Sequence, residues 1–583
     1  MTDPVSVLTP HVQAAMAAAF GPEWREADPV IRPANKKQTS ADLQVNAAMA
    51  AAKKVGKPPR EVAAAIIEHL DAPDLVESVE IAGPGFLNIT LKGEWIASAA
   101  TDLLTGDGLL PPVTPERVIV EYSSPNAAKE MHVGHLRTTV VGDALARTLE
   151  GLGHTVIRQN HLGDWGTGFG MLVEHLLEVG EDSDEAKLLG SDPNAFYRGA
   201  RAKFSATETS TDADSFAVRA RKRVTLLQGG DAETLRLWQE IIDLTKTYIN
   251  RVYAELDISL TNDDLAGESI YNDEFPGICD ALEDKGIAVI SEGALCVFLD
   301  GYIGREDKPV PLMIRKSDGG YGYAISDIAT LRHYSLDLKA DRALYVVGAP
   351  QNMHFRMAWE TTAKAGWVEG TEPIHVQIGN VLGSDGKILR TRSGDLVTLQ
   401  SLVDAALARA AEVIAESRPD LDDVTRKEIS DKVGIGAIKY ADLSISHDSE
   451  YTFDLDRMVA LQGNTGPYLQ YATARIRSIL RRADSVDPSG PIVLTEPAER
   501  ALALRLLDYG SVVAQVGETL EPHRLAAYLF DLAQTFTTFY EQCPVLKAED
   551  AAVKDSRLAL CALTLRVLVE GLGLLGIESP DQM

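Results

Sequence analysis

Residues 121–142 read EYSSPNAAKEMHVGHLRTTVVG. The stretch follows the apolar run Val118, Ile119 and Val120 and precedes a segment whose apolar residues recur at helical spacing. His132, Gly134 and His135 therefore fall at a strand-to-helix turn. Free backbone N–H groups at such a turn hold phosphate, so the arrangement points to nucleotide chemistry. Two simpler readings are a helix-start cluster and a pair of zinc ligands on one helical face. The second lacks a suitably spaced third ligand nearby.

Strand and helix patterns alternate outward from this turn over residues 116–395. ERVIVEYS is a strand, GHLRTTVVGDALARTLEGLG a helix, and HTVIRQNHLGDWG a strand and turn. Farther on, RALYVVGAP, a helix from about 355 and HVQIGNVLG repeat the alternation. That order predicts a Rossmann-type parallel sheet with helices on both faces. A charged, mostly helical insertion covers about 171–260. Residues 1–112 predict an N-terminal α+β domain. TSADLQVNAAMAAAKKVG (39–56) and PPREVAAAIIEHL (58–70) read as helical, and VESVEIAGPGFLNITLK (76–92) as two strands around a Gly-Pro-Gly turn. PPVTP at 111–115 is a linker, and the catalytic unit spans 113–397. From 398 to 583 the helical period dominates, as in RLAAYLFDLAQTFTTFYEQC, which predicts a C-terminal all-α bundle.

Length supports several domains. The chain has 85 acidic and 56 basic residues, a net charge of −29. That field opposes a polyanion at long range, but local clusters permit RNA contact. Those clusters are Lys36 and Lys37; Lys53, Lys54, Lys57 and Arg60; Arg219, Arg221, Lys222 and Arg223; and Arg475, Arg477, Arg481 and Arg482. The four cysteines are scattered without a CxxC pair, which argues against a zinc site and a disulfide framework. No apolar run approaches the ~18–20 residues of a membrane span, and the N-terminus has no secretory pattern. The expectation is a cytoplasmic protein with no membrane partner and no structural metal.

An HxGH motif after a strand resembles the signature of class I aminoacyl-tRNA synthetases. VLGSDGKILRTRSG (381–394) resembles the lysine loop of that class, in which Lys387, Arg390 and Arg392 would neutralise a triphosphate as pyrophosphate leaves. The paired lysines usual in that loop are replaced by ILRTRSG, and Lys129 is the candidate substitute. Nearly end to end, the chain resembles the arginyl-tRNA synthetase family. The resemblance rests on GPGFLNI, SSPNAAKEMHVGH, HLGDWGTGFG, AGESIY, SDGGYGYAISDIA, YVVGAPQNMHF, GKILRTRSG, NTGPYLQYATARI, YLFDLAQTFTTFYEQCPVL and LGIESPDQM.

The resemblance implies a site for arginine, whose guanidinium is planar, always charged and carries five donors in a fork. Opposed carboxylates with bidentate geometry suit it. The resemblance nominates Asp327 and Glu268 for that task, with Tyr323 as a third acceptor. Glu121 ends the first strand, where open α/β sheets bind ligands. Ser124, Pro125, Asn126, Gln351 and His135 are placed around the α-amino and carboxylate groups. Met131, Val133, Gly134, Gly163 and Asp164 belong to the implied ATP-binding motif, and Lys129, His132, His135, Lys387 and Arg390 to catalysis. Phe86 and Asn88 are implied at the tRNA elbow, and Tyr468, Gln470, Tyr471 and Arg475 near the anticodon. The family's usual Thr-Arg before the aspartate reads Ile325-Ser326, which predicts a changed ion-pair partner for Asp327.

The implied activity ligates L-arginine to tRNA(Arg) with ATP and Mg²⁺, by a monomer whose amino-acid activation needs bound tRNA. Rival readings are a catalytically silent tRNA-binding paralogue, a synthetase for another amino acid and a small-molecule adenylyltransferase. The paralogue predicts loss of the histidines, Asp327 or Gln351, all of which are present. The acidic pair suits a cation, and an adenylyltransferase leaves both terminal domains unexplained.

Overall fold

The computed structural model describes residues 3–34, 39–165, 167–304, 307–317, 319–390, 396–483 and 490–583. Lys36, Lys37 and Arg392 lie outside them. The N-terminal part packs α1 (Pro4–Phe20), α2 (Ala47–Val55), α3 (Pro59–His69) and α4 (Gly93–Thr105) with an antiparallel sheet. Its strands are β1 (Ile31–Pro33), β2 (Leu43–Val45), β3 (Val76–Ala82) and β4 (Phe86–Leu91), in the order β1-β2-β4-β3. The helix expected from Thr39 begins only at Ala47, because Leu43–Val45 pairs with Leu87–Ile89 as a strand. Leu43 and Val45 are both buried while Gln44 is not, an alternation of period two. In the turn between β3 and β4, Gly85 has φ +151°, and a Cβ there would lie 2.8 Å from the Pro59 backbone, so only glycine fits.

The central sheet contains β5 (Arg117–Glu121), β6 (Thr155–Leu162), β7 (Leu265–Gly267), β11 (Arg342–Gly348) and β12 (Glu372–Ile378). All neighbours are parallel, in the order β12-β11-β5-β6-β7. Val118, Ile119 and Val120 are fully buried in β5, as an inner strand covered on both faces requires. The chain leaves β5 toward β6 and β7, then returns on the other side as β11 and β12. The strand order therefore reverses between β5 and β11, and the crevice at their carboxyl ends is where such sheets bind ligands.

Helix α5 (Val133–Gly151) connects β5 to β6. The helical insertion comprises α6 (Thr167–Val179), α7 (Leu188–Ser191), α8 (Pro193–Ala206), α9 (Phe216–Gln228) and α10 (Ala232–Glu255). A second insertion was not anticipated from the sequence. After α11 (Phe275–Asp284), strands β8 (Ala288–Ser291), β9 (Ala294–Ile303) and β10 (Pro309–Arg315) form an antiparallel sheet. Its first hairpin turns at Glu292-Gly293, both with positive φ, a two-residue turn chemistry the sequence did carry. Helices α12 (Tyr323–Leu336) and α13 (Asn352–Lys364) flank β11.

After β13 (Val381–Leu382) come α14 (Leu399–Ser417) and α15 (Asp423–Leu443). The strand β14 (Tyr451–Thr452), α16 (Leu455–Met458) and α17 (Gly466–Arg481) follow. The last helices are α18 (Pro497–Leu507), α19 (Tyr509–Thr519), α20 (His523–Gln542) and α21 (Ala551–Leu574). The bundle is not wholly helical: β14 pairs in parallel with β13 in a separate two-stranded sheet, because the segment after α15 returns to the stretch that follows β12. The same segment grips α5. Arg137 and Asp442, both fully buried, form an ion pair at 2.7 Å, and Arg137 also donates to the Ser449 carbonyl at 2.6 Å.

Candidate active site

Sterics set the loop after β5 apart from ordinary turns. Ser123, Ser124 and Ala128 all have positive φ (70°, 47° and 56°), a conformation non-glycine residues rarely adopt. Surrounding hydrogen bonds over-determine it, as strained functional loops require. Ser124 N donates to Asn160 Oδ1 (3.1 Å) and Ala128 N to Thr245 Oγ1 (3.0 Å). Gly163 N donates to the Pro125 carbonyl, and Ala127 N to the Gly163 carbonyl. A side chain at Gly163 would press on Asn126 Oδ1, which fixes glycine at that contact. Ser124 Oγ is buried with no hydrogen-bond partner, so it is available to a ligand.

The loop ends in the two histidines, which cap α5 reciprocally. His132 N donates to His135 Nδ1 at 3.0 Å, and Gly134 N donates to His132 Nδ1 at 3.1 Å. These bonds make both Nδ1 atoms acceptors and assign the ring proton to Nε2 in each residue. The rings lie 4.0 Å apart. A Cβ on Gly134 would sit 2.9 Å from the His132 ring, so the motif needs glycine there. Burial, then the charges of His132 and Lys129, push His135 down to about 3. Burial and Lys129 lower His132 as well. Both rings are therefore neutral N–H donors at pH 7, beside the charge of Lys129 at the positive end of a helix. Lys129 Nζ itself lies 4.3 Å from the centroid of the Tyr197 ring of α8.

Met131 and Val133 contribute differently from the expectation that they belong to a nucleotide site. Their side chains are buried, and Val133 packs with Val381, Leu402 and Tyr451. Their backbones anchor the distant basic loop. Val133 N donates to the Val397 carbonyl and Leu399 N to the Met131 carbonyl, at 2.9 and 2.8 Å. The glycine-rich stretch thus returns to the histidines. Lys387 is exposed at a tight turn closed by Gly383 N and the Lys387 carbonyl (2.7 Å), and Arg390 is exposed in an antiparallel bridge with Leu396. Arg392 falls outside the described residues.

Three carboxylates converge at the crevice from three segments. Glu121 ends β5 and accepts from Tyr334 OH at 3.0 Å. Glu268 follows β7, and Asp327 lies on α12. His161, on β6, lies 3.8 Å from Glu121. Burial alone would lower the His161 pKa. Glu121, then Asp327 and Glu268, outweigh it and hold the imidazole up at about 9. Burial raises Glu268 to about 7, with Asp327 and Asp164 adding to the rise and His161 opposing it. Asp327 pairs with His354, at 2.5 Å. His161 and His354 both sat inside quoted motifs, but neither was singled out from the sequence.

A cleft of about 260 Å³ unites these segments, lined among others by Asn126, Lys129, Gly163, Glu268, Tyr323 and Ser326. Tyr323 is 73% exposed at the start of α12, so its hydroxyl is accessible. Gln351 is exposed in a short 3-10 turn directly beyond β11. Asp164, expected in the nucleotide motif, is buried. Its carboxylate is engaged by Ser269 N and Oγ (3.0 and 2.6 Å), and it packs so closely that Gly267 admits no side chain. It fixes the segment that carries Glu268.

Two residues expected at the RNA surface are interior. Asn88 is 7% exposed and bonds Gln44 and Thr39. Gln470 is fully buried and donates to the carbonyls of Lys432 and Glu578, strapping the C-terminal tail to α15 and α17. Phe86, at the start of β4, is half-buried. On α17, Tyr471 is 42% exposed, Tyr468 meets Phe530 edge-on, and Arg475 stacks over Tyr540 at 4.5 Å. That aromatic and cationic face suits stacking on unpaired bases.

Chemically, neutral N–H donors and a lysine at a helix N-terminus match phosphate, and a carboxylate cluster matches a cation beside it. Comparison with known proteins agrees. The family model described as tRNA synthetases class I (R), catalytic domain, matches residues 101–455. The Arginyl tRNA synthetase N terminal domain matches 6–91, and the DALR anticodon binding domain 469–583. The chain is 64% identical to the arginine–tRNA ligase of Thermobifida fusca, covering 100% of both chains. It is 46% identical to that of Proteus mirabilis over 99% of both. Among solved structures, the arginyl-tRNA synthetase of Plasmodium falciparum superposes with TM-score 0.82 at 27% identity, over 99% of each chain. That of Thermus thermophilus superposes with TM-score 0.79 at 26% identity, over 99% of this chain and 100% of the other. A strained loop feeding an HxGH helix cap, a returning basic loop, a carboxylate-lined crevice and full-length likeness on both sides lead to one conclusion: the chain belongs to the arginyl-tRNA synthetase family.

Proposed function

We propose that this chain ligates L-arginine to its cognate tRNA in two steps. The arginine carboxylate attacks the ATP α-phosphate, forming arginyl-adenylate and expelling pyrophosphate. A terminal ribose hydroxyl of tRNA, the 2′-hydroxyl by class resemblance, then attacks the arginyl carbonyl and expels AMP. The observation that carries the reading is the convergence of Glu121, Glu268 and Asp327 about His161, with Glu268 and Lys129 lining one cleft. The carboxylates take the guanidinium, while Ser124, Asn126 and Gln351 hold the α-amino and carboxylate groups. Positioning and pre-oriented donors supply the rate. The two Nε2–H groups donate to the phosphates, and Lys129, Lys387 and Arg390 offset the charge of departing pyrophosphate. Magnesium enters with ATP as part of the substrate. Residues 1–112 and 398–583 serve as tRNA-binding domains around a catalytic domain of 113–397, in a cytoplasmic monomer. Transfer of labelled arginine to tRNA tests the activity: charging with arginine supports it, and charging with another amino acid overturns it.

Two consequences follow for the site. Lys129→Ala is expected to slow adenylate formation about 10²-fold, the usual effect of losing one preorganised charge donor. A normal rate would assign the role to Lys387. Arginine affinity is also expected to depend on pH through Glu268, which His161, Asp327 and Asp164 surround. Its pKa near 7 leaves it largely protonated at pH 6, where it attracts a guanidinium weakly. Arginine binding should therefore weaken as pH falls below 7 and release protons near pH 7. Calorimetry in buffers of different ionisation enthalpy reads that release, and Glu268→Gln should abolish it. Equal affinity at pH 6 and pH 8 would contradict the assignment.

A further inference from the structure

Tyr253 stands in the last turn of α10, 3% exposed, and takes no part in the chemistry proposed above. Its hydroxyl has two partners. It lies 2.6 Å from Ser123 Oγ and accepts from Asn160 Nδ2 at 2.9 Å. Asn160 of β6 is fully buried, and its Oδ1 accepts from Ser124 N at 3.1 Å. That last bond fixes the orientation of the amide, because only its oxygen can accept from a backbone N–H. Thr139 of α5, also fully buried, completes the set by donating to Ser123 Oγ at 2.8 Å. Side chains from α10, β6 and α5 therefore converge on Ser123 and Ser124.

The convergence falls on the strained pair. Ser123 and Ser124 have φ of 70° and 47°, a conformation that persists only where the surroundings over-determine it. The bonds between Gly163 and Pro125 and Ala127 fix the residues that follow. Two further side chains of α10 fix the loop beyond them: Thr245 Oγ1 accepts from Ala128 N, and Tyr248 OH from Met131 N at 3.2 Å. The Tyr253 set holds the two residues that precede all of these. Ser124 and Asn126 are the groups proposed to seat the α-amino and carboxylate ends of arginine, and that carboxylate is the nucleophile. A shift of about 1 Å in this backbone would move the attacking oxygen off line from the α-phosphate, at a cost of about 10²-fold. We infer that Tyr253 is a positioning residue for arginine, acting through Ser123 and Asn160 to hold the strained backbone that seats the substrate carboxylate. The inference rests on the proposed placement of arginine at Ser124 and Asn126.

Y253F removes one oxygen and keeps the ring, so the core around it stays filled. Charging of tRNA with arginine is measured over arginine and ATP concentrations for the full chain, Y253F, S123A and Y253F/S123A. The expected result in Y253F is a kcat/KM for arginine about 10- to 100-fold lower, with the ATP KM within about twofold. S123A removes the same 2.6 Å bond from its other end, so it should show the same selective loss. The double variant should then lose clearly less than the product of the two single losses. An arginine kcat/KM within about threefold of the parent, an equal loss for ATP, or single losses that simply multiply would overturn the proposal. The denaturant midpoint is read alongside. A lowered midpoint with unchanged arginine kinetics would assign Tyr253 to stability alone, and overturn it too. Should Y253F not fold, S123A carries the same arginine-selective expectation. Failure of the parent chain to charge tRNA with arginine would instead strike the activity itself, so the two failures are distinguishable.

Discussion

Asp327→Asn is expected to reduce kcat/KM for arginine by several hundred-fold or more while leaving the KM for ATP within about twofold. The substitution keeps volume and shape but removes the charge. Breaking a desolvated, hydrogen-bonded charge pair costs about 3–5 kcal/mol, and each 1.4 kcal/mol is tenfold. Asp327 is only 18% exposed, and Glu268 beside it is held partly protonated near pH 7, so much of the fixed negative charge there falls to Asp327 and Glu121. Its loss also leaves His354 facing a neutral amide in place of the carboxylate at 2.5 Å. In the proposed reading the phosphates are held by the His132–His135 cap, which the change does not touch. Steady-state kinetics in each substrate separates the outcomes. An unchanged arginine KM, or an equal loss in ATP and arginine, would remove Asp327 from guanidinium recognition.

Arg137→Ala is expected to destabilise the fold by about 3–5 kcal/mol, because it strands a buried carboxylate. Both members of the Arg137–Asp442 pair are fully buried. Burial already raises the Asp442 pKa, and Arg137 is what opposes that rise. Without the guanidinium, the carbonyls of Ser446 and Ser449 lose a donor too. Asp442 would then take a proton on folding, so the variant's deficit should shrink as pH falls. The denaturant midpoint measured at pH 5 and pH 8 checks both size and sign. A double variant, Arg137→Met with Asp442→Leu, should recover much of the loss, since a packed apolar pair replaces a buried ion pair at little cost. A single variant within about 1 kcal/mol of the parent would show that this pair does not bind α5 to the C-terminal bundle.

Much of the architecture is legible in residues 116–163, because a β-branched run, a helical period and a second apolar run dictate a parallel β-α-β unit. Glu121 is equally legible, since the end of the first strand is a ligand site by topology alone. His161 and His354 are not. Each acquires its role only when β6 and α13 bring it beside carboxylates far away in sequence, and no local period reports such convergence. The second insertion could have been read: Glu292-Gly293 between apolar runs is a hairpin signal that went unused. Gln470 could have been read as well. It lies three residues before Thr473, on the same face as buried small side chains, where it meets Gly436, which admits no Cβ. Asn88 differs, because its burial depends on Gln44 and Thr39 across the sheet, and a polar residue in a strand carries no mark of which face it takes.

The central claim is that one crevice activates arginine and no other amino acid. Pyrophosphate exchange into ATP, run with each of the twenty amino acids in the presence and absence of tRNA, tests it most directly. The account predicts exchange with arginine alone, and only when tRNA is added. Exchange with another amino acid, or none with arginine in a protein that still binds tRNA, would contradict it.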